Sequence, residues 1–327
     1  MKFLQIIGTQ RSGSNLFRLM LNEFENVFAP HPPHLLNTFY PLIDKYNNLD
    51  NKKNTQRLID DMLRWVKNNP IKWSDLPTPE SILSSIENNR NLFEIFKAIY
   101  TYNNPNFWCC KSLQNFKFYN LKEFQNLNPI YIYIYRDGRD VASSFKKAPI
   151  GDKHIYFLAK KWYSDQVICD KIKKITPIEN FFSVKYEDLL ENPAMVLNNL
   201  CRKYDIKYNK DFLNFYLSNE SKKASDSGGL WENLSKPLIR NNKEKFKKEL
   251  SDRELLIFES INKNILTKLG YNLENNISKL DISFTPNQLN NFKVLNEELK
   301  SLIMSNNNLA EIELRDKQRN ELSKFIS

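Results

Sequence analysis

The chain has 327 residues and a formal net charge of +10, with 41% hydrophobic and 26% charged residues. This is a globular composition, long enough for one large domain or one domain with an appendage, and no segment approaches the ~18 apolar residues that would span a bilayer. The basic charge is scattered rather than stacked in a stripe and no nucleic-acid-binding motif accompanies it, so a DNA or RNA partner is not expected; it either draws in an anionic ligand or reflects an Asn-, Lys- and Ile-rich composition.

The first predicted element is a buried strand over the apolar run Phe3 to Ile7. After Met1-Lys2 that run is too short for a secretory leader, so none is expected. A loop of small residues follows, Gly8-Thr9-Gln10-Arg11-Ser12-Gly13-Ser14-Asn15, and then Leu16, Leu19, Met20 and Phe24 recur at helical spacing. Strand, loop and helix together aim backbone N–H groups and the positive end of a helix at one point, a ready site for phosphate. The loop nearly has the ATPase pattern G-x-x-x-x-G-K-[ST], but Ser14 stands at the Lys position and Asn15 at the Ser/Thr position. The phosphate-reaching lysine and the magnesium-ligating hydroxyl are both missing, which disfavours an NTP-dependent kinase, and the loop's cation is Arg11 instead. Ser14 and Asn15 could also serve only as helix caps.

Two of the three histidines, His31 and His34, lie in Ala29-Pro30-His31-Pro32-Pro33-His34, just after this helix. Imidazole titrates near neutrality, which suits a general base; the alternative is a stiff connector whose histidines are merely polar. Residues 38–105 read as a mostly helical insertion. Leu58, Met62, Leu63, Trp65 and Val66 have the spacing of a packed helix, and Pro77 and Pro79 mark a turn before a further helix at about 80–100. Three more strands are predicted, at Phe107–Lys111, Ile130–Tyr135 and Phe181–Lys185. Strands alternating with helical patterns give an α/β fold with a parallel sheet flanked by helices. Ligands in such sheets sit at the carboxyl ends of the strands. The 8–15 loop, Lys111, Arg136 and Tyr186 all fall at or just past such ends.

The domain is expected to occupy residues 1–275, and 276–327 to form a helical C-terminal extension. In the extension, Leu289, Phe292, Leu295, Leu299 and Leu302 recur at helical spacing, Ser305 to Asn308 interrupt, and a charged helix with Leu309, Ile312, Leu322 and Phe325 follows. It either packs back on the domain or forms a homo-oligomer contact. Cys109, Cys110, Cys169 and Cys201 form no C-x-x-C pair and no Cys/His ligand set. Neither a disulfide framework nor a metal site is indicated, and a reduced cytoplasm is the expected compartment.

Three segments in order resemble the sulfotransferases that use 3′-phosphoadenosine 5′-phosphosulfate (PAPS). They are the 8–15 loop, the segment Arg136-Asp137-Gly138-Arg139-Asp140-Val141-Ala142-Ser143-Ser144, and Ser183-Val184-Lys185-Tyr186-Glu187-Asp188-Leu189. The resemblance implies a P-loop-NTPase-like fold and transfer of a sulfuryl group from PAPS to a hydroxyl or amine, without a metal. It implies that Gln10, Arg11, Ser12, Gly13, Ser14 and Asn15 hold the 5′-phosphosulfate and that Arg11 stabilises the departing phosphate. Arg136 and Ser144, eight residues apart, then hold the 3′-phosphate, and Tyr186 lies on the adenine side. Lys111-Ser112 matches a Lys-Ser/Thr pair near the sulfuryl group. Where cytosolic members continue with a basic His, this chain has Leu113; other members carry a Glu in a Pro-containing turn after the first helix, the place of His34, with His31 close by. The family's adenine-stacking Trp is replaced by Leu16, leaving Phe17, Tyr186 or Trp231 for that role. After Gly228-Gly229, Ser235, Lys236 and Arg240 stand where the family has a basic loop over the 3′-phosphate, although the Arg-Lys-Gly order is absent; a plain surface loop is the alternative. Arg139 and Asp140 are expected to make a local ion pair or cap. The resemblance does not identify the acceptor, a small molecule or a glycan. A non-catalytic nucleotide- or glycan-binding protein on the same fold stays open, because the usual His is absent.

Overall fold

The computed structural model describes residues 1–226, 232–305, 313, 316–318 and 320–323. Among these, five strands form one parallel sheet: β1 (Lys2–Ile7), β2 (Val27–Phe28), β3 (Phe107–Cys110), β4 (Pro129–Tyr135) and β5 (Phe181–Lys185), in the order β2-β3-β1-β4-β5. Four match the predicted strands; β2 is a two-residue edge strand too short to leave a periodic pattern. β1 runs beside β3, Leu4 opposite Cys109, and beside β4, Gln5 opposite Tyr131.

Helix α1 (Ser14–Asn22) follows β1, and α2 (Leu35–Phe39), α3 (Lys52–Lys67), α4 (Pro79–Ser85) and α5 (Leu92–Thr101) separate β2 from β3. The helix expected over 80–100 is thus two. Residues 87–91 are polar and Asn-rich, and the Asn91 side chain caps a fresh start by accepting from Phe93 N and Glu94 N at 2.9 and 3.0 Å. The short α6 (Lys122–Gln125) precedes β4, and α7 (Gly138–Lys147) and α8 (Ile155–Ile175) lead to β5. After β5 come α9 (Tyr186–Glu191), α10 (Pro193–Tyr204), α11 (Asn219–Asp226), α12 (Phe246–Glu249), α13 (Asp252–Lys268) and α14 (Pro286–Ser305). No helix among the described residues is long and apolar enough to cross a membrane.

The sheet is covered on both faces, and β4 shows why its sequence looks unbroken. Ile130, Ile132 and Ile134 pack with Leu4 and Ile6 of β1, Phe17 and Leu21 of α1, and Leu197 and Leu200 of α10. Tyr131 and Tyr133 point the other way, into a core shared with Phe3, Trp108 and residues of α2 to α5. The 38–105 helices therefore supply one whole layer of the domain. A third core joins α7, α8, α13 and α14 through Val141, Trp162, Phe258 and Phe292. α14 packs back on this core, where the Asn296 side chain accepts from Lys153 N and His154 N at 2.8 and 2.9 Å, and Phe292 stacks on His154. Leu295 and Leu302 of its expected stripe are exposed. Leu322 packs against the insertion core, while Leu309, Ile312 and Phe325 lie outside the described residues.

Candidate active site

The carboxyl ends of β1, β3, β4 and β5 open into one cavity of about 450 Å³, within the range of small-ligand sites. Gln10, Arg11, Gly13, Ser14 and Asn15 line it after β1, Lys111 after β3, Arg136 and Ser144 after β4, and Tyr186 after β5. Ser12 is fully buried beneath them, and its hydroxyl has no hydrogen-bond partner. His31 and His34 line the same cavity.

The loop's shape comes from its backbone. Arg11 has φ +70° and Gly13 φ +85°, both in the left-handed region, in the loop just before α1 begins, the kind of turn in which successive N–H groups form an anion-binding nest. A Cβ on Gly13 would lie 2.3 Å from Tyr186 Cδ2, so only glycine fits against that ring. A bulky residue held left-handed, as Arg11 is, is the kind of backbone strain that clusters at functional sites. The turn lets Arg11 Nε donate to Ser144 Oγ at 3.0 Å, while the Arg11 carbonyl accepts from Arg136 Nη1 at 3.3 Å. Arg11 from the loop after β1, Arg136 from the end of β4 and Ser144 from α7 thus form one cluster.

Arg136 is buried, its guanidinium 4.6 Å from the centre of the Tyr186 ring. Its Nη2 reaches the Asp140 carboxylate at 3.3 Å and the Asn242 carbonyl at 3.0 Å, and its Nε is buried without a partner. The Asn15 side-chain oxygen is likewise buried without one. Unsatisfied polar atoms of this kind cost stability, and here they border the cavity. Tyr186 is braced by Asn242 Nδ2, which donates to its hydroxyl at 2.8 Å, and burial pushes its phenol pKa up. Behind it, burial raises the Glu187 carboxyl, which accepts from Asp137 N at 3.1 Å and the Tyr271 hydroxyl at 3.0 Å.

The histidine connector is fixed by the insertion. Trp65 Nε1 donates to the Pro33 carbonyl at 2.6 Å and Trp73 Nε1 to the His31 carbonyl at 2.7 Å. His31 is buried, its Nδ1 3.4 Å from Asn69 Nδ2. His34 is exposed and takes φ +58° at the start of α2. On the α1 side, buried Arg18 donates to the Ala29 carbonyl at 2.6 Å and pairs with Glu220 at 2.5 Å, tying the connector to α11.

Several expected residues are placed elsewhere. Ser235, Lys236 and Arg240 are not among the cavity-lining residues: Ser235 Oγ donates to Ser225 Oγ at 2.9 Å, and Arg240 Nη1 to the Glu191 carbonyl at 2.8 Å. Their loop lines the cavity with Asn233, Leu234, Pro237 and Asn242 instead. Phe17 is fully buried in the core, on the helix face away from the cavity, so it is not available for stacking; Leu16 lines the cavity in its stead, and Trp231 lies outside the described residues. Arg139 and Asp140 do make local ion pairs as expected, each with a different near neighbour, Asp137 and Arg136. Arg139 binds Asp137 at 2.7 Å and Glu259 at 2.6 Å, and Asp140 holds Arg136 and the backbone N–H groups of Glu244 and Phe246. Ser112 is buried and does not line the cavity. Trp65, Asn69, Lys147, Asn242, Lys245, Glu249 and Gln318 line it although none of them was expected at the site, Trp65 having been read only as a helix core residue. Only Lys147, one turn past Ser144 on α7, had a sequence cue. All four cysteines are free and buried, and burial pushes the Cys109, Cys110 and Cys169 thiols up, away from nucleophilic chemistry.

The model of the sulfotransferase family matches residues 4–210, well over half the chain. The chain belongs to the sulfotransferase family and is an enzyme of sulfuryl transfer. Among solved structures it is similar to the sulfotransferase domain of the Synechococcus PCC 7002 olefin synthase, with a TM-score of 0.61 and 18% identity over 84% of this chain and 96% of that one. It is also similar to the sulfotransferase domain of the curacin biosynthetic pathway, with a TM-score of 0.57 and 18% identity over 83% of this chain and 98% of that one. At such identity the likeness concerns the fold. The comparison with curated proteins gave no match.

Proposed function

We propose that the sulfuryl donor is PAPS and the acceptor a hydroxyl or amine of a small molecule or glycan. The observation that carries this reading is the cluster of Arg11, Arg136 and Ser144 beside the left-handed loop. It sets two guanidinium groups and a hydroxyl next to the N-terminus of α1, a donor set suited to two separate phosphate groups. The buried, unpartnered Arg136 Nε and the Gly13 cradle fit an anionic ligand as well.

PAPS would supply an activated sulfuryl group. The loop N–H groups, Ser14 and Asn15 would hold its 5′-phosphosulfate, with Gln10 and Ser12 shaping the loop. Arg136 and Ser144 would hold the 3′-phosphate. Tyr186 would border the adenine. In transfer, the acceptor oxygen or nitrogen bonds to sulfur, and the bond from sulfur to the phosphate oxygen breaks. The electron pair stays on that oxygen, where Arg11 and Lys111 balance its charge. His34 takes the acceptor's proton, because its imidazole is exposed at the cavity while His31 is buried against Asn69. The insertion, 38–105, forms the acceptor side: Trp65, Asn69 and Pro70 line the cavity beside the histidines. Residues 1–275 are read as the catalytic domain and 276–327 as its extension.

Calorimetry in metal-free buffer tests the reading. Adenosine 3′,5′-bisphosphate should bind at least about tenfold more tightly than adenosine 5′-monophosphate, the worth of one charge-assisted contact set. Equal affinities would remove the 3′-phosphate assignment and with it PAPS as donor.

A further inference from the structure

A carboxylate stands in the wall of this anion-binding cavity. α7 presents Ser143, Ser144 and Lys147 to the cavity, and Glu249, the last residue of α12, faces them. The Ser143 hydroxyl donates to the Glu249 carboxylate, which also pairs with Lys147 Nζ at 2.6 Å. A serine hydroxyl and an ammonium group converging on one anion is a set that a phosphate oxygen would also use. Burial acts to raise the Glu249 carboxyl, but Lys147 and Ser143 hold it below the ordinary range, so it is ionised at neutral pH. Its neighbours along the wall, Arg136, Ser144 and Lys245, are otherwise suited to anions.

Building on the reading of the donor as PAPS, we propose that Glu249 is a specificity-determining residue that occupies the anion subsite formed by Ser143 and Lys147, and that a nucleotide's 3′-phosphate displaces it. Glu249 is then a competitor built into the chain. The apparent affinity is the intrinsic affinity multiplied by the fraction of molecules whose subsite is open. A carboxylate that holds the subsite about nine-tenths of the time weakens binding roughly tenfold, and only for ligands that carry the 3′-phosphate.

Glu249→Gln tests this, since the amide keeps the size but not the charge. In calorimetry the variant should bind adenosine 3′,5′-bisphosphate about tenfold more tightly than wild type, with adenosine 5′-monophosphate unchanged within about twofold. Glu254→Gln is the control: it removes the same charge five residues on, in the first turn of α13, from a pair with Lys146 at 2.5 Å outside the cavity, and should change neither affinity. If wild type prefers the bisphosphate but Glu249→Gln leaves that affinity unchanged or lowers it, Glu249 is a clamp and the inference is overturned alone. Equal tightening of both nucleotides overturns it too, as a general charge effect. If wild type does not distinguish the nucleotides, the PAPS reading fails and this inference with it.

Discussion

Replacing Gly13 by alanine isolates the contact on which the phosphate loop is built. Two costs add. Gly13 has φ +85°, and an L residue there gives up about 1 kcal/mol relative to glycine. The new methyl would also lie 2.3 and 2.5 Å from Tyr186 Cδ2 and Cε2. The ring cannot swing aside cheaply, because Asn242 holds its hydroxyl at 2.8 Å and the Arg136 guanidinium covers its face at 4.6 Å. Overpacking of this kind costs about 1–3 kcal/mol, for a total of about 2–4 kcal/mol. Gly270 is the internal reference: its φ is +79°, yet a Cβ there meets nothing within 4 Å. Gly270→Ala should therefore cost only the backbone part, about 1 kcal/mol. Urea unfolding of the two variants, extrapolated to water, measures the difference. Gly13→Ala should also lose bisphosphate binding, because moving Tyr186 moves Arg136, whereas Gly270→Ala should keep it. If the two variants are destabilised equally to within about 0.5 kcal/mol and both bind ligand, the Gly13–Tyr186 contact does not set the loop.

Arg11→Ala should change stability by less than about 1 kcal/mol, since the side chain sits in a loop, but turnover of labelled PAPS should fall more than bisphosphate affinity. Near-normal turnover would remove Arg11 as the group that balances charge on the leaving phosphate. His34→Asn, which tolerates the left-handed backbone but cannot act as a base, should lose about 10²–10⁴-fold in rate while keeping bisphosphate binding; His31→Ala should lose less rate. Should His31→Ala be the inactive variant, the two roles exchange. Lys153 is buried against the Phe145, Ile150 and Gly151 carbonyls, and burial lowers its pKa to about 8. Above pH 8 the folded protein sheds a proton that the unfolded chain keeps up to about pH 10.4, so this group's contribution to stability rises with pH across that window. Urea titrations at pH 7 and 10 should show wild type gaining on Lys153→Met; a pH-independent difference would refute the shift.

Local sequence determined the elements and the chemistry of the loop. A run of Ile and Tyr alternating over 130–135 has one stable arrangement, a strand covered on both faces, and the structure sends the isoleucines to one core and the tyrosines to the other. The apolar run before Gly8 and the helical spacing after Ser14 fix strand, loop and helix through neighbours only a few residues away. The absence of lysine at position 14 was legible for the same reason. So was the eight-residue step from Arg136 to Ser144, because it lies within a single strand-to-helix turn.

Tertiary structure alone decided which side chains meet. Asn242 reaches Arg136 across 106 residues and Tyr186 across 56, and no pattern near Asn242 announces either contact. Glu249 reads as one more surface charge until α12 sets it against α7. Trp65 reads as a core residue of an amphipathic helix, which it is, but its indole N–H also fastens the histidine connector. The Phe17 and Leu16 positions show the limit most directly. They are adjacent in sequence and similar in chemistry, yet about 100° of helix rotation buries one and turns the other into the cavity. Periodicity gives the angle between two such residues; only the packing of α1 on β1 and β4 gives the absolute direction, because the hydrophobic effect that buries a side chain has no preferred orientation until a partner surface is in place.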